Sequence, residues 1–204
     1  MSDLLCVTNR TLCRENFLTR IEKIAAAHPR GIILREKDLT EDEYLALAAQ
    51  TAAILKKYDV YCILHTFYET AQKLENPAIH LPLPILRHLS DSQKAFFSVI
   101  GASCHSLSEA KEAERLGCTY ITAGHIFATD CKKGLPGRGV DFLQEICAEV
   151  SVPVYAIGGI NDTNIHAVRE TGAKGACIMS GLMQCDDAAA YLKKFEKAGE
   201  SHAV

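Results

Sequence analysis

The 204-residue sequence contains no apolar run near the roughly 20 residues needed to cross a bilayer, which excludes a helical membrane span. It has no C-x-x-C pair and no H-x-x-x-H or H-E-x-x-H motif, so no metal site is expected from ligand spacing. No G-x-G-x-x-G follows the first apolar segment, which removes the usual signature of a dinucleotide cofactor, and none is expected. The formal charge of −3, without a basic or acidic tail, gives no electrostatic footprint for nucleic acid. Asp3 precedes only a brief apolar stretch, so no export signal is visible, and the nine cysteines form an odd set outside any pairing pattern. The expectation is a cytoplasmic protein with reduced thiols.

With 48% hydrophobic residues the chain can bury one core, and a single domain over residues 1–204 is expected. Short apolar segments recur at Leu4–Val7, Gly31–Leu34, Val60–Leu64, Ala78–Leu81, Phe97–Ala102, Thr119–Thr122, Pro153–Ile157 and Gly175–Met179. Between them lie segments of helical spacing, such as Phe17, Ile21 and Ile24. Thr40 with Glu43 forms a capping box, Ser106 with Glu109 marks another helix start, and Gly117 stands where a helix C-terminal glycine belongs. A helix is expected over Thr66–Leu74, a weakly marked one after the fourth strand, and a last one from about Asp186 to Ala198. Continuous rather than alternating apolar strands imply a parallel sheet buried on both faces. Eight strand–helix units in a chain of this length predict an α/β fold, the closed (β/α)8 TIM barrel; an open doubly wound sheet is the alternative.

In such a barrel the groups that follow each strand gather at one mouth. They are Arg35 and Lys37, His65, His80, Ser103, His125 with Thr129 and Lys132, Gly158-Gly159, and Ser180-Gly181. The stretch Gly124–Gly139 is the longest of these loops and carries His125, Thr129, Cys131, Lys132, Lys133 and Arg138 with four glycines. Glycine pairs make tight turns, but Ala-Ile-Gly-Gly-Ile after the seventh strand and Met-Ser-Gly after the eighth also offer free backbone N–H groups where barrels bind phosphate. Strand alternation would put Arg35 and Lys37 on one face toward an anion, with Glu36 turned away. His80 reads as a structural histidine and His105 as a helix-entry residue, while His65 is left open. His125, at a strand-to-loop junction, is the candidate acid/base, since an imidazole exchanges protons near neutral pH.

The loop Gly-His-Ile-Phe-Ala-Thr-Asp-Cys-Lys-Lys-Gly-Leu-Pro-Gly-Arg-Gly, with Leu-Arg-Glu-Lys-Asp-Leu at 34–39 and the two glycine motifs downstream, resembles the thiamine phosphate synthase/TenI superfamily. Within it the resemblance is to the TenI-like thiazole tautomerases, and it covers nearly the whole chain. It implies a (β/α)8 barrel, a homodimer, and a thiazole phosphate bound at the mouth. Synthases of the superfamily carry an Asn-Asp pair after strand three and an Asp after strand four, whose aspartates bind magnesium. This chain has His65-Thr66 and His80-Leu81-Pro82-Leu83-Pro84-Ile85 there. Synthase loops also tend to carry Pro at the place of His125 and Thr at that of Cys131.

The resemblance thus implies an isomerase without metal or cofactor: a dihydrothiazole carboxylate phosphate is aromatised as a proton leaves ring C2 and another arrives at the exocyclic carbon. It assigns His125 as acid/base, Gly158, Gly159, Met179 and Ser180 to the phosphate, and Arg35, Lys37 or Lys132 to the carboxylate. The alternatives are a thiamine phosphate synthase, with Arg35, Lys37, Ser103, Thr129 and Lys132 as pyrophosphate contacts, and a noncatalytic thiazole-phosphate-binding regulator.

Overall fold

The computed structural model describes residues 3–129, 132 and 134–197. Its strands are β1 (Leu4–Val7), β2 (Gly31–Leu34), β3 (Tyr61–His65), β4 (Ala78–Pro82), β5 (Val99–Cys104), β6 (Tyr120–Gly124), β7 (Val154–Ile157) and β8 (Gly175–Ile178). They are hydrogen-bonded in chain order as a closed barrel, and the β1–β2, β2–β3, β5–β6, β6–β7 and β7–β8 pairs are parallel. This is the expected (β/α)8 architecture. All residues of β1, β2, β6 and β8 are buried, as continuous apolar runs require.

The helices are α1 (Phe17–Ala26), α2 (Glu41–Lys57), α3 (Tyr68–Lys73), α4 (Leu83–His88), α5 (Asp91–Lys94), α6 (Leu107–Arg115), α7 (Gly139–Glu149), α8 (Ile165–Glu170), α9 (Ser180–Gln184) and α10 (Ala188–Lys197). Local chemistry sets their starts. Asn16 accepts the N–H groups of Leu18 and Thr19 ahead of α1, and the Thr40–Glu43 capping box opens α2. Ser106 accepts the Glu109 N–H at α6, whereas the Glu109 carboxylate reaches past Ser106 to the His105 N–H. Gly117 closes α6 at φ +87°. Among the described residues no helix is long and apolar enough to cross a membrane.

Several boundaries differ from those expected. Strand β5 ends at Cys104 rather than Ala102, because its register against β6 runs from Gly101 opposite Tyr120 to Cys104 opposite Ala123. Helix α3 begins only at Tyr68, since Thr66 sits at φ +72° and cannot enter a right-handed helix. The weakly marked region holds two helices, the second opened by a Ser90–Gln93 capping box. The expected last helix is α10, and a further short helix, α9, precedes it, ended by extended backbone at Cys185.

The chain divides into two compact units, one made of residues up to Ile79 together with those from Ile178 on, the other His80–Cys177. In the first, α1 packs on α2, and Ile21, Ile24, Tyr44, Ala48 and Leu55 are fully buried. The Tyr44 hydroxyl donates to the Leu34 carbonyl at 2.6 Å and accepts the His65 N–H at 2.8 Å, tying the ends of β2 and β3. Burial raises the pKa of this phenol, so it stays protonated.

In the second unit, Gly101 supplies room rather than flexibility. A Cβ there would collide with the Tyr120 phenol and with Nδ1 of His80. Gly101→Ala should therefore cost about 1–3 kcal/mol or more, the usual range for overpacking a core, read as a lowered urea midpoint at unchanged slope.

Candidate functional site

The residues expected at the site fall in both compact units and are taken unit by unit. In His80–Cys177, parallel pairing does not stop where β6 and β7 end. The Ile126 N–H donates to the Ile157 carbonyl and the Phe127 N–H to the Gly158 carbonyl, both at 3.0 Å. On its other side the loop is tied to the start of α7: the Arg138 N–H donates to the His125 carbonyl at 3.0 Å and the Gly139 N–H to that of Ile126 at 2.9 Å. Gly137 is needed because a Cβ there would strike the Ile126 carbonyl oxygen.

His125 thus has a firmly anchored backbone, entered through a cis Gly124–His125 peptide bond, and a half-buried side chain. Its Nε2 lies 3.4 Å from the Leu135 carbonyl oxygen, beyond the range of a strong hydrogen bond, so the imidazole is only lightly held. Against its Cβ packs Gly158. Gly158 and Gly159 have φ of +101° and +66°, and a Cβ on them would meet the His125 Cβ and the Ala128 carbonyl oxygen respectively. The Gly159 carbonyl accepts from Nδ2 of Asn164 at 2.9 Å, while Oδ1 of Asn164 accepts the Asn161 N–H at 2.9 Å, which fixes the turn. The N–H groups of Gly158 and Gly159 meet no acceptor among the described residues.

Ser103 lies within β5 rather than beyond it, a correction that follows from the longer strand. Its hydroxyl is 2.9 Å from Nε2 of buried His80, whose Nδ1 is 2.9 Å from the Tyr120 hydroxyl. The structural reading of His80 holds in this sense. His105 precedes α6 as expected, with Nδ1 3.0 Å from the Gly124 carbonyl oxygen. Thr129 is half-buried and Lys132 exposed, the Lys132 N–H donating to the Thr129 carbonyl at 3.0 Å. Cys131 and Lys133 lie outside the described residues. Cys104 and Cys118 are buried, which pushes both thiols up to about 12 and leaves them neutral, poor proton carriers at physiological pH.

In the other unit the reading of Arg35-Glu36-Lys37 needs correction. Glu36 does not turn away but is buried. It accepts the Thr8 hydroxyl at 2.6 Å and the Arg10 N–H at 3.0 Å from each carboxylate oxygen. The Arg10 guanidinium forks onto Asp38 at 2.6 and 2.7 Å and reaches Glu36 at 3.3 Å. Asp38 is thereby held below the usual carboxylate range. Thr8 also accepts the Arg35 N–H at 2.9 Å, so this cluster sets the backbone from which half-buried Arg35 and exposed Lys37 project. Half-buried Met179 is the N-cap of α9, and exposed Ser180 is its first residue. His65 is buried with Nδ1 2.7 Å from the Thr66 hydroxyl. Sequence reasoning did not single out Tyr120 or Asn164, and it turned Glu36 the wrong way. Of the three, only Glu36, placed between two predicted contacts, carried a signal in the sequence.

A closed parallel barrel that carries its polar groups at and beyond the C-terminal ends of its strands belongs to the class in which that end holds the active site. The family model described as thiamine monophosphate synthase matches residues 4–182, and the chain belongs to that family of enzymes. It is 30% identical over 204 residues to a thiamine-phosphate synthase of Syntrophomonas wolfei, covering 97% of this chain and 96% of the relative. It is 33% identical over 181 residues to a putative thiamine-phosphate synthase 2 of Aquifex aeolicus, covering 89% and 97%. The solved structure of a thiamine phosphate pyrophosphorylase from Pyrococcus furiosus superposes with a TM-score of 0.83 at 26% identity, covering 97% of this chain and 95% of that one. These names match the synthase alternative better than the isomerase reading.

The buried thiols give a direct check. Native protein treated with iodoacetamide at pH 8 should leave Cys104 and Cys118 unmodified by mass spectrometry, and urea should open both to alkylation. Rapid native labelling of Cys104 would show an accessible thiolate there, contrary to its burial.

Proposed function

We propose that this family member moves protons on a thiazole phosphate, the tautomerase reaction, rather than expelling pyrophosphate. What carries the reading is the chemistry at the ends of β3 and β4. Where the superfamily's synthases place magnesium-binding aspartates, this chain has His65-Thr66 and a run from His80 to Ile85 without a carboxylate. Both imidazoles are buried and hydrogen-bonded to neighbouring hydroxyls. Among the described residues no group of three or more His, Cys, Asp or Glu could hold a metal ion. Hard oxygen donors are what magnesium requires, so these residues do not fit it.

An isomerisation expels no anion and needs a proton carrier beside a held substrate. His125 is lightly bonded, half-buried and packed against the Gly158-Gly159 turn, whose two N–H groups, without an acceptor among the described residues, suit a phosphate oxygen. The proton leaving ring C2 and the one arriving at the exocyclic carbon balance, so one imidazole can accept and return it. The names of the relatives favour a second reading, a synthase joining a pyrimidine pyrophosphate to the thiazole phosphate.

Two assays separate them. Given the unaromatised thiazole carboxylate phosphate, the protein should turn it over, and a chelator should leave the rate within about two-fold, an effect too small for loss of a catalytic metal. Coupling of pyrimidine pyrophosphate to thiazole phosphate that stops in chelator and returns with magnesium would put the synthase reading first.

His125→Ala should lower kcat by about 10² to 10⁴, the usual contribution of a positioned acid/base. Product affinity should hold, because alanine keeps the Cβ that packs on Gly158. His125→Gln should be no better, since an amide cannot carry the proton. Turnover of both variants within a few-fold of wild type would reduce His125 to a loop-shaping residue.

A further inference from the structure

The second unit contains a line of three hydrogen-bonding groups, Tyr120, His80 and Ser103, that the proton-transfer reading does not use. It crosses three consecutive strands, from β6 to β4 to β5, with both spacings 2.9 Å. Gly101 and Ser103 share one face of β5 by strand alternation, and the missing side chain of Gly101 is what admits the Tyr120 phenol and the His80 ring side by side. Tyr120 and His80 are buried, whereas Ser103, one step nearer the C-terminal end of the strand, is half-buried.

We infer that Tyr120 fixes His80 as the neutral imidazole with its proton on Nε2, and that this makes the Ser103 hydroxyl a hydrogen-bond donor toward a ligand's acceptor oxygen. The phenol remains protonated, because burial raises its pKa well above the ordinary value. Its O–H therefore has to be placed. Among the described residues the partner of the Tyr120 hydroxyl is His80 Nδ1, and leaving a buried donor without an acceptor is costly.

Nδ1 is then the accepting nitrogen. A neutral imidazole with one accepting nitrogen carries its proton on the other, so Nε2–H donates to Ser103 Oγ. A doubly protonated ring would present N–H to both hydroxyls and drive the phenol proton out of its bond. With one lone pair of Oγ occupied by Nε2–H, the Ser103 hydrogen is left to point elsewhere, and no acceptor for it stands among the described residues. The end of β5 thus has a fixed polarity. It rewards a ligand that brings a carboxylate, phosphate or carbonyl oxygen there and discriminates against one that brings a donor. Tyr120, out of reach of solvent, is a positioning residue that acts through His80 on Ser103.

The first test needs no ligand. Histidine-labelled whole protein near neutral pH should give the ¹⁵N pattern of an Nε2–H tautomer for His80, assigned by its loss in His80→Gln or, should that variant not fold, by proximity to the Tyr120 ring. Tyr120→Phe should relax it toward a mixture of tautomers. An Nδ1–H or doubly protonated ring in wild type would overturn the inference.

The second test rests on the proposed substrate class and uses the aromatic thiazole carboxylate phosphate as probe in calorimetry. Ser103→Ala should weaken binding by about ten-fold, as for one hydrogen bond to a charged group. Tyr120→Phe should weaken binding by wild type but add nothing in the Ser103→Ala background, with folding of each variant checked by thermal melting. Equal losses in both backgrounds would mean that Tyr120 acts on the ligand without Ser103, contrary to the inference. A wild type that does not bind the probe at all would sink the proposed function, while the tautomer measurement would still decide this one.

Discussion

Two backbone hydrogen bonds beyond the last rungs of the β6–β7 ladder govern the candidate site: Ile126 N–H to the Ile157 carbonyl and Phe127 N–H to that of Gly158. They carry strand pairing into segments that would otherwise be free loops, and they bring the two backbones so close that neither glycine of the β7 turn can bear a side chain. Glycine at 158 and 159 is therefore a steric demand of the neighbouring loop. Placement of His125 and the need for glycine opposite it are two results of one constraint.

In the unit that holds β1 and β2, the ordering element is a buried carboxylate. Glu36 sits among Thr8, the Arg10 N–H and the Arg10 guanidinium, so its charge is met by several donors rather than by water. Arg10 in turn divides its guanidinium between Glu36 and exposed Asp38, which bridges a buried site to the surface. The Arg35 backbone is tied to the same cluster through Thr8.

The eight strands were legible because a strand covered on both faces reads as a short continuous apolar run, and these runs alternate along the chain with segments of helical spacing. Helix starts at Thr40 and Ser106 were legible from capping chemistry. What the sequence hid depends on partners distant along the chain. The true end of β5 is set by its register with β6, and the burial of Glu36 by donors on Thr8 and Arg10. Strand alternation counted from Leu34 assigned Glu36 to the wrong environment because regular extended pairing has already ended there. The loop motif around His125 was readable as chemistry. The Tyr120–His80–Ser103 line was not, since Tyr120 reads as one more apolar strand residue and only the absence of a side chain at Gly101 makes room for it.

The anchoring of the 125–139 loop also bears on how the protein assembles. Its closure onto α7 involves neighbours in sequence, but its pairing with Ile157 and Gly158 joins segments separated by the whole of that helix and the strand that follows. Such contacts repay their loop-closure entropy only after the intervening chain is in place. The candidate catalytic loop consequently acquires its anchored shape only together with the β6–β7 pairing it extends. A chain still emerging during synthesis holds His125 long before it holds the backbone that positions it.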